Sequence, residues 1–113
     1  MSDRIRIRNA GGTWVVRVGG AVIGESSAAL ELEETGYDPV IYFPRADIAM
    51  AFLDASDKST DCPHKGTASY FSIQTKSQTL ENAAWSYEAP IEGAERIGGH
   101  LAFDRAVVTV EQL

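Results

Sequence analysis

The chain has almost none of the residues that staple or metallate small domains. Its 113 residues include one cysteine, Cys62, and two histidines, His64 and His100. A single cysteine excludes an internal disulfide and any multi-cysteine zinc site. Cys62 and His64 stand two positions apart and His100 lies far along the chain, a spacing unlike that of zinc ligands, so neither a metal nor another cofactor is expected. Basic charge is also scarce: ten Lys and Arg against sixteen Asp and Glu give a net charge of -6. A nucleic-acid partner needs a basic stripe that displaces counterions, which this balance opposes. No apolar run approaches the roughly 18 residues of a membrane span. The start M-S-D-R-I-R lacks the apolar stretch of an export signal. The expectation is a soluble cytoplasmic protein with no nucleic-acid or membrane partner; its oligomeric state stays open.

What the chain does have is enough apolar residues, 44%, to close one core, so residues 1–113 are expected to form a single domain. Strand signals dominate. Residues 4–8 alternate charge and hydrophobe, and residues 13–18 are β-branched and aromatic, with Gly11-Gly12 as the turn of a first hairpin. Arg4, Arg6 and Arg8 would then share one face, either a solvated exterior opposite Ile5 and Ile7 or an anion-binding surface. Gly19-Gly20 supplies a second hairpin turn, returning residues 21–24. Residues 29–33 alternate as a half-buried strand, and residues 40–43 form another, stopped by Pro44. Ile48, Phe52 and Ala55 stand at helical spacing, which predicts one short α-helix over residues 46–55. Residues 54–61 read as a polar loop. Residues 67–75 and 79–87 are strands joined by Lys76-Ser77-Gln78, and short strands near residues 101–103 and 107–110 close the sheet. The pattern predicts a compact, mainly β, antiparallel domain.

Chemistry concentrates in two stretches, T-D-C-P-H-K-G-T-A-S-Y-F-S at 60–72 and E-N-A-A-W-S-Y-E-A-P at 81–90. Cys62 is a candidate nucleophile if neighbouring positive charge, from Lys65 or a protonated His64, lowers its thiol pKa, or else a small buried hydrophobe. Lys65-Gly66 offers a point charge beside a backbone that a ligand can approach closely, and such a lysine is expected to be at least partly exposed. Trp85 and Tyr87 fall on one strand face, as do Tyr70 and Ser72. These aromatics either floor a pocket or simply pack the core. Asn82 adds a donor and an acceptor.

The same stretches, with V-I-Y-F-P-R-A-D-I at 40–48 and I-G-G-H-L-A-F at 97–103, resemble the bacterial family of domain of unknown function 427 across most of the chain. The resemblance implies a β-tent, or Mss4-like, fold in which antiparallel sheets lean together around a pocket. Many β-tent relatives carry a four-cysteine zinc site, and this chain lacks its ligands. The family also carries a nucleotidyltransferase-like label. That chemistry uses paired carboxylates on magnesium and a glycine-serine phosphate loop, whereas Asp54, Asp57 and Asp61 lie without that framework. Three functions follow as expectations. The first is a domain binding a small anionic or nucleotide-like ligand through Lys65, Tyr70, Asn82, Trp85 and Tyr87. The second is an enzyme of nucleotidyl or acyl transfer using Cys62 or Lys65, and the third a structural or interaction domain.

Overall fold

The computed structural model describes residues 4–113; the polar start at Met1, Ser2 and Asp3 lies outside them. The described residues form three antiparallel sheets. The first pairs β1 (Ile5–Asn9) with β4 (Leu30–Glu34) and β4 with β5 (Val40–Tyr42). The second places β2 (Trp14–Val18) between β3 (Ala21–Ser26) and β10 (Thr109–Gln112). The third runs β6 (Leu53–Cys62), β7 (Gly66–Gln74), β8 (Thr79–Tyr87) and β9 (Ala102–Phe103) in order.

Two apolar clusters hold these sheets together. Val16, Ile23, Phe43, Ile73, Leu101 and Phe103 belong to one, which joins the second and third sheets. Leu30, Leu32, Tyr42, Ala68 and Tyr87 belong to the other, which joins the first and third. Strand periodicity assigns the faces as expected: Ile5 and Ile7 are half-buried, while Arg4, Arg6 and Arg8 are exposed. Arg8 donates to Glu31 at 2.8 Å across the β1–β4 pair, and Arg4 lies 3.9 Å from Glu34, so these two arginines face glutamates of β4.

Three expectations are corrected. The residues flanking Gly11-Gly12 do not form a hairpin, because β1 pairs with β4 and β2 with β3 and β10. The α-helix over residues 46–55 is absent. Two 3-10 turns, Arg45–Asp47 and Met50–Phe52, flank an extended Ile48, and β6 begins at Leu53. Tertiary contacts override the helical spacing here: Ile48 bridges Gly24, and the Ala49 amide donates to the Ile23 carbonyl at 2.8 Å. The apolar residues still reach the core, Ile48 and Leu53 fully and Met50 and Phe52 in part. Finally, the polar loop 54–61 is most of β6. It lies at the edge of its sheet, where charged side chains discourage pairing with other chains.

The close approach at Gly24 has a measurable consequence. A Cβ there would collide with the Ile48 side chain and crowd the Asp47 carbonyl. Gly24→Ala should therefore destabilise the protein by about 1–3 kcal/mol in chemical denaturation. An unchanged midpoint would show that the Gly24–Ile48 contact is loose.

Candidate functional site

A cavity of about 320 Å³ opens between the end of the first sheet and the β6–β7 turn. Leu32, Glu34, Tyr37, Asp38 and Val40 line it from one side, and Cys62 and Lys65 from the other. The turn owes its shape to Gly66, whose φ of 118° suits only glycine. Lys65 donates its amide to the Cys62 carbonyl at 3.2 Å and accepts from the Ile91 amide at 3.0 Å, which fixes the direction of its side chain.

Lys65, expected to be at least partly exposed, lies half-buried in the cavity wall with its side chain 13% accessible. Its ammonium donates to Glu34 Oε1 at 3.0 Å and lies 5.6 Å from the centre of the Tyr87 ring. Glu34 is 9% accessible, and its other oxygen lies 3.9 Å from the Arg4 guanidinium. A hydrophobic seam continues inward from this pair. Tyr42 is fully buried and accepts a 3.4 Å hydrogen bond from the Trp85 indole, and Trp85 lies 6.2 Å from Tyr70, ring centre to ring centre. Tyr70 in turn reaches the β6 surface, sharing a 3.1 Å hydrogen bond with Thr60 under the Lys58 ammonium. Trp85 also lines a second cavity of about 210 Å³ with Phe103, Asp104 and Arg105, and Asp38 and Val40 form part of both walls.

Burial sets the electrostatics of the seam. It raises the Tyr42 phenol to about 12, opposed by the Trp85 hydrogen bond and reinforced by Glu34 and by Cys62 and Tyr70 in their ionised forms. Tyr87 moves in the same direction, again chiefly through burial. Both phenols therefore stay protonated at neutral pH and can donate. Among the described residues the Tyr87 hydroxyl has no hydrogen-bond partner, yet no sealed polar side-chain atom of these residues is orphaned. That hydroxyl consequently touches accessible space.

Of the residues expected in one site, Lys65, Tyr87, Cys62, Trp85 and Tyr70 do meet along this seam. Asn82 does not. It occupies a bulge in β8 with a φ of 54°, a conformation that asparagine tolerates, and it accepts from Ser56 at 2.5 Å while its amide donates to Ser72 at 3.1 Å. Ser72 stands six residues along β7 from Gly66, roughly 20 Å at the usual rise per residue. His64 lines a different cavity, with Ile5, Pro63 and Ile91. Asp54, Asp57 and Asp61 are spread along exposed β6, and among the described residues no three His, Cys, Asp or Glu side chains converge as a metal site.

Sequence reasoning missed Glu34, Tyr42, Tyr37 and Asp38. Glu34 carried a usable signal, since it lies in phase with Leu30 and Leu32 and so must point inward. Tyr42 likewise shares the phase of Val40.

Residues 6–112 match the family described as Domain of unknown function (DUF427). No curated protein matches the chain.

Two outcomes test this geometry. Lys65→Met leaves a desolvated Glu34 with only the more distant Arg4, and should cost about 3–5 kcal/mol. Lys65→Met/Glu34→Met should recover most of that loss in chemical denaturation; a single variant as stable as the wild type would mean that the pair is solvated. The second outcome concerns alkaline pH. The folded Tyr42 pKa lies above the unfolded value of 10.0, so its contribution is complete below pH 10 and is lost as pH rises toward about 12. The loss amounts to about 3 kcal/mol. Denaturation curves across that range should show it, with a delayed phase in phenolate absorbance. Complete ionisation near 10.0 in the folded protein would contradict the burial of Tyr42.

Proposed function

The chain belongs to the family of domain of unknown function 427, whose name assigns no activity, and we propose that it works as a small-molecule-binding domain. One observation carries this reading: the Lys65–Glu34 ion pair is nearly withdrawn from water, yet it forms part of a cavity wall. Well-packed apolar residues usually stabilise a fold as well as a buried ion pair does, so folding alone does not account for it. A cleft that offers oriented charges and apolar walls suits ligand recognition. Its volume falls within the range of roughly 300–1,000 Å³ common to small-molecule sites. In this reading the leaning sheets are the β-tent of the family resemblance, and the pocket lies between them.

An enzyme using Cys62 or Lys65 is the alternative. A catalytic Cys62 would need a base or a positive charge beside the thiol, yet the Lys65 ammonium is already paired with Glu34 and His64 lines another cavity. Binding is the reading that the geometry favours.

Native mass spectrometry of the full chain, purified without denaturant, should reveal a retained small molecule that is released on acid unfolding. Cys62 lines the same cavity, so its alkylation should be slower in the loaded protein than in the stripped one. A chain that carries nothing, and whose Cys62 reacts equally fast with and without cell extract, would end this reading.

A further inference from the structure

We infer that the ligand is dipolar, a small molecule carrying both an ammonium and a carboxylate, of the amino-acid class. The inference rests on the binding reading and refines its chemistry. A free lysine ammonium would suit a simple anionic ligand. In the folded protein Glu34 already accepts a hydrogen bond from Lys65. The charged groups lining the cavity are Lys65, Glu34 and Asp38, one positive and two negative. With Arg4 beside Glu34 the charges around the site balance, and a simple anion would meet Lys65 while leaving Asp38 as an unpaired like charge in the same wall.

The charged groups of the lining nevertheless differ in character. The Lys65 ammonium uses one of its three donors on Glu34, leaving two for a carboxylate. Asp38, by contrast, is exposed and makes no hydrogen bond or ion pair among the described residues. It stands beside Tyr37, an aromatic ring that is 68% accessible. An ammonium placed there meets a carboxylate, and an aromatic face is within reach, a combination that favours cations. A carboxylate on Lys65 and an ammonium on Asp38 leave the filled cavity with no added net charge. Two full charges of opposite sign satisfy both groups, while a ligand with either charge alone leaves one of them unpaired.

The test uses the full chain, freed of retained ligand, and isothermal titration with the standard amino acids. Their N-acetyl and carboxamide derivatives serve as controls carrying a single charge. At least one free amino acid should bind, and blocking either its amine or its carboxylate should weaken binding roughly tenfold or more. Asp38→Asn, at an exposed position, should abolish the preference for the free amine over the N-acetyl form. Lys65→Met/Glu34→Met, which removes both charges of the ion pair, should abolish the preference for the carboxylate over the amide. N-acetyl forms that bind as tightly as the free amino acids would overturn the dipolar assignment, and so would the absence of binding by any free amino acid. Either result would leave the retained-ligand measurement standing on its own, so the failure of the ligand class remains distinguishable from the failure of the binding reading.

Discussion

An ion pair between Lys65 and Glu34 joins two sheets that otherwise meet through hydrophobic contact. Glu34 closes the inward face of β4 after Leu30 and Leu32, so the apolar interface ends in a carboxylate where the cavity opens. Lys65 comes from the opposite side, aimed by a turn that only Gly66 can complete. Neither charge tolerates losing the other in this setting, because each would remain largely withdrawn from water. The pair therefore has two roles. It fixes the β6–β7 turn against β4, and it leaves two ammonium donors with no hydrogen-bond partner among the described residues.

Behind that pair the interface holds polar atoms in a mostly apolar seam. Tyr42, Trp85 and Tyr87 present hydroxyl and indole groups among aliphatic side chains, and burial keeps both phenols protonated. In such surroundings each hydrogen bond is stronger than in water, and each unpaired group is more costly. The Trp85–Tyr42 bond relieves two of these groups. The Tyr87 hydroxyl has no such relief and depends on solvent or a ligand.

Much of the sheet architecture was legible in the sequence because it rests on local rules. Gly19-Gly20 and Lys76-Ser77-Gln78 mark true hairpins, β2–β3 and β7–β8. What escaped depended on contacts distant in sequence. The helical spacing of Ile48, Phe52 and Ala55 is real, but an extended Ile48 fits against Gly24, and its backbone finds partners on β3 instead of in a helix. The polarity of residues 54–61 suits a loop and an edge strand equally well, and only its pairing with β7 decides between them. The site followed the same division. Lys65, Trp85 and Tyr87 stood out by residue type, whereas Glu34 looked like one more surface glutamate until its phase with Leu32 was taken into account.

Asn82 shows how a residue outside the cleft still determines what the cleft contains. Leu80 pairs with Ile73, but Ala84 pairs with Phe71, so the bulge around Asn82 gives β8 two extra residues against β7. Continuing the first register unchanged would set Ala83 opposite Tyr70 and Trp85 opposite Ala68. The two-residue offset instead brings Trp85 to Tyr70 and Tyr87 to Ala68, whose small side chain leaves the Tyr87 ring free for Lys65. A matching offset in β6, between Ala55 and Ser59, keeps that edge strand in step, and the Ser56–Asn82 hydrogen bond ties the two irregularities together. The positive φ at Asn82 is thus the local strain by which the third sheet aligns its aromatic residues with the ion pair.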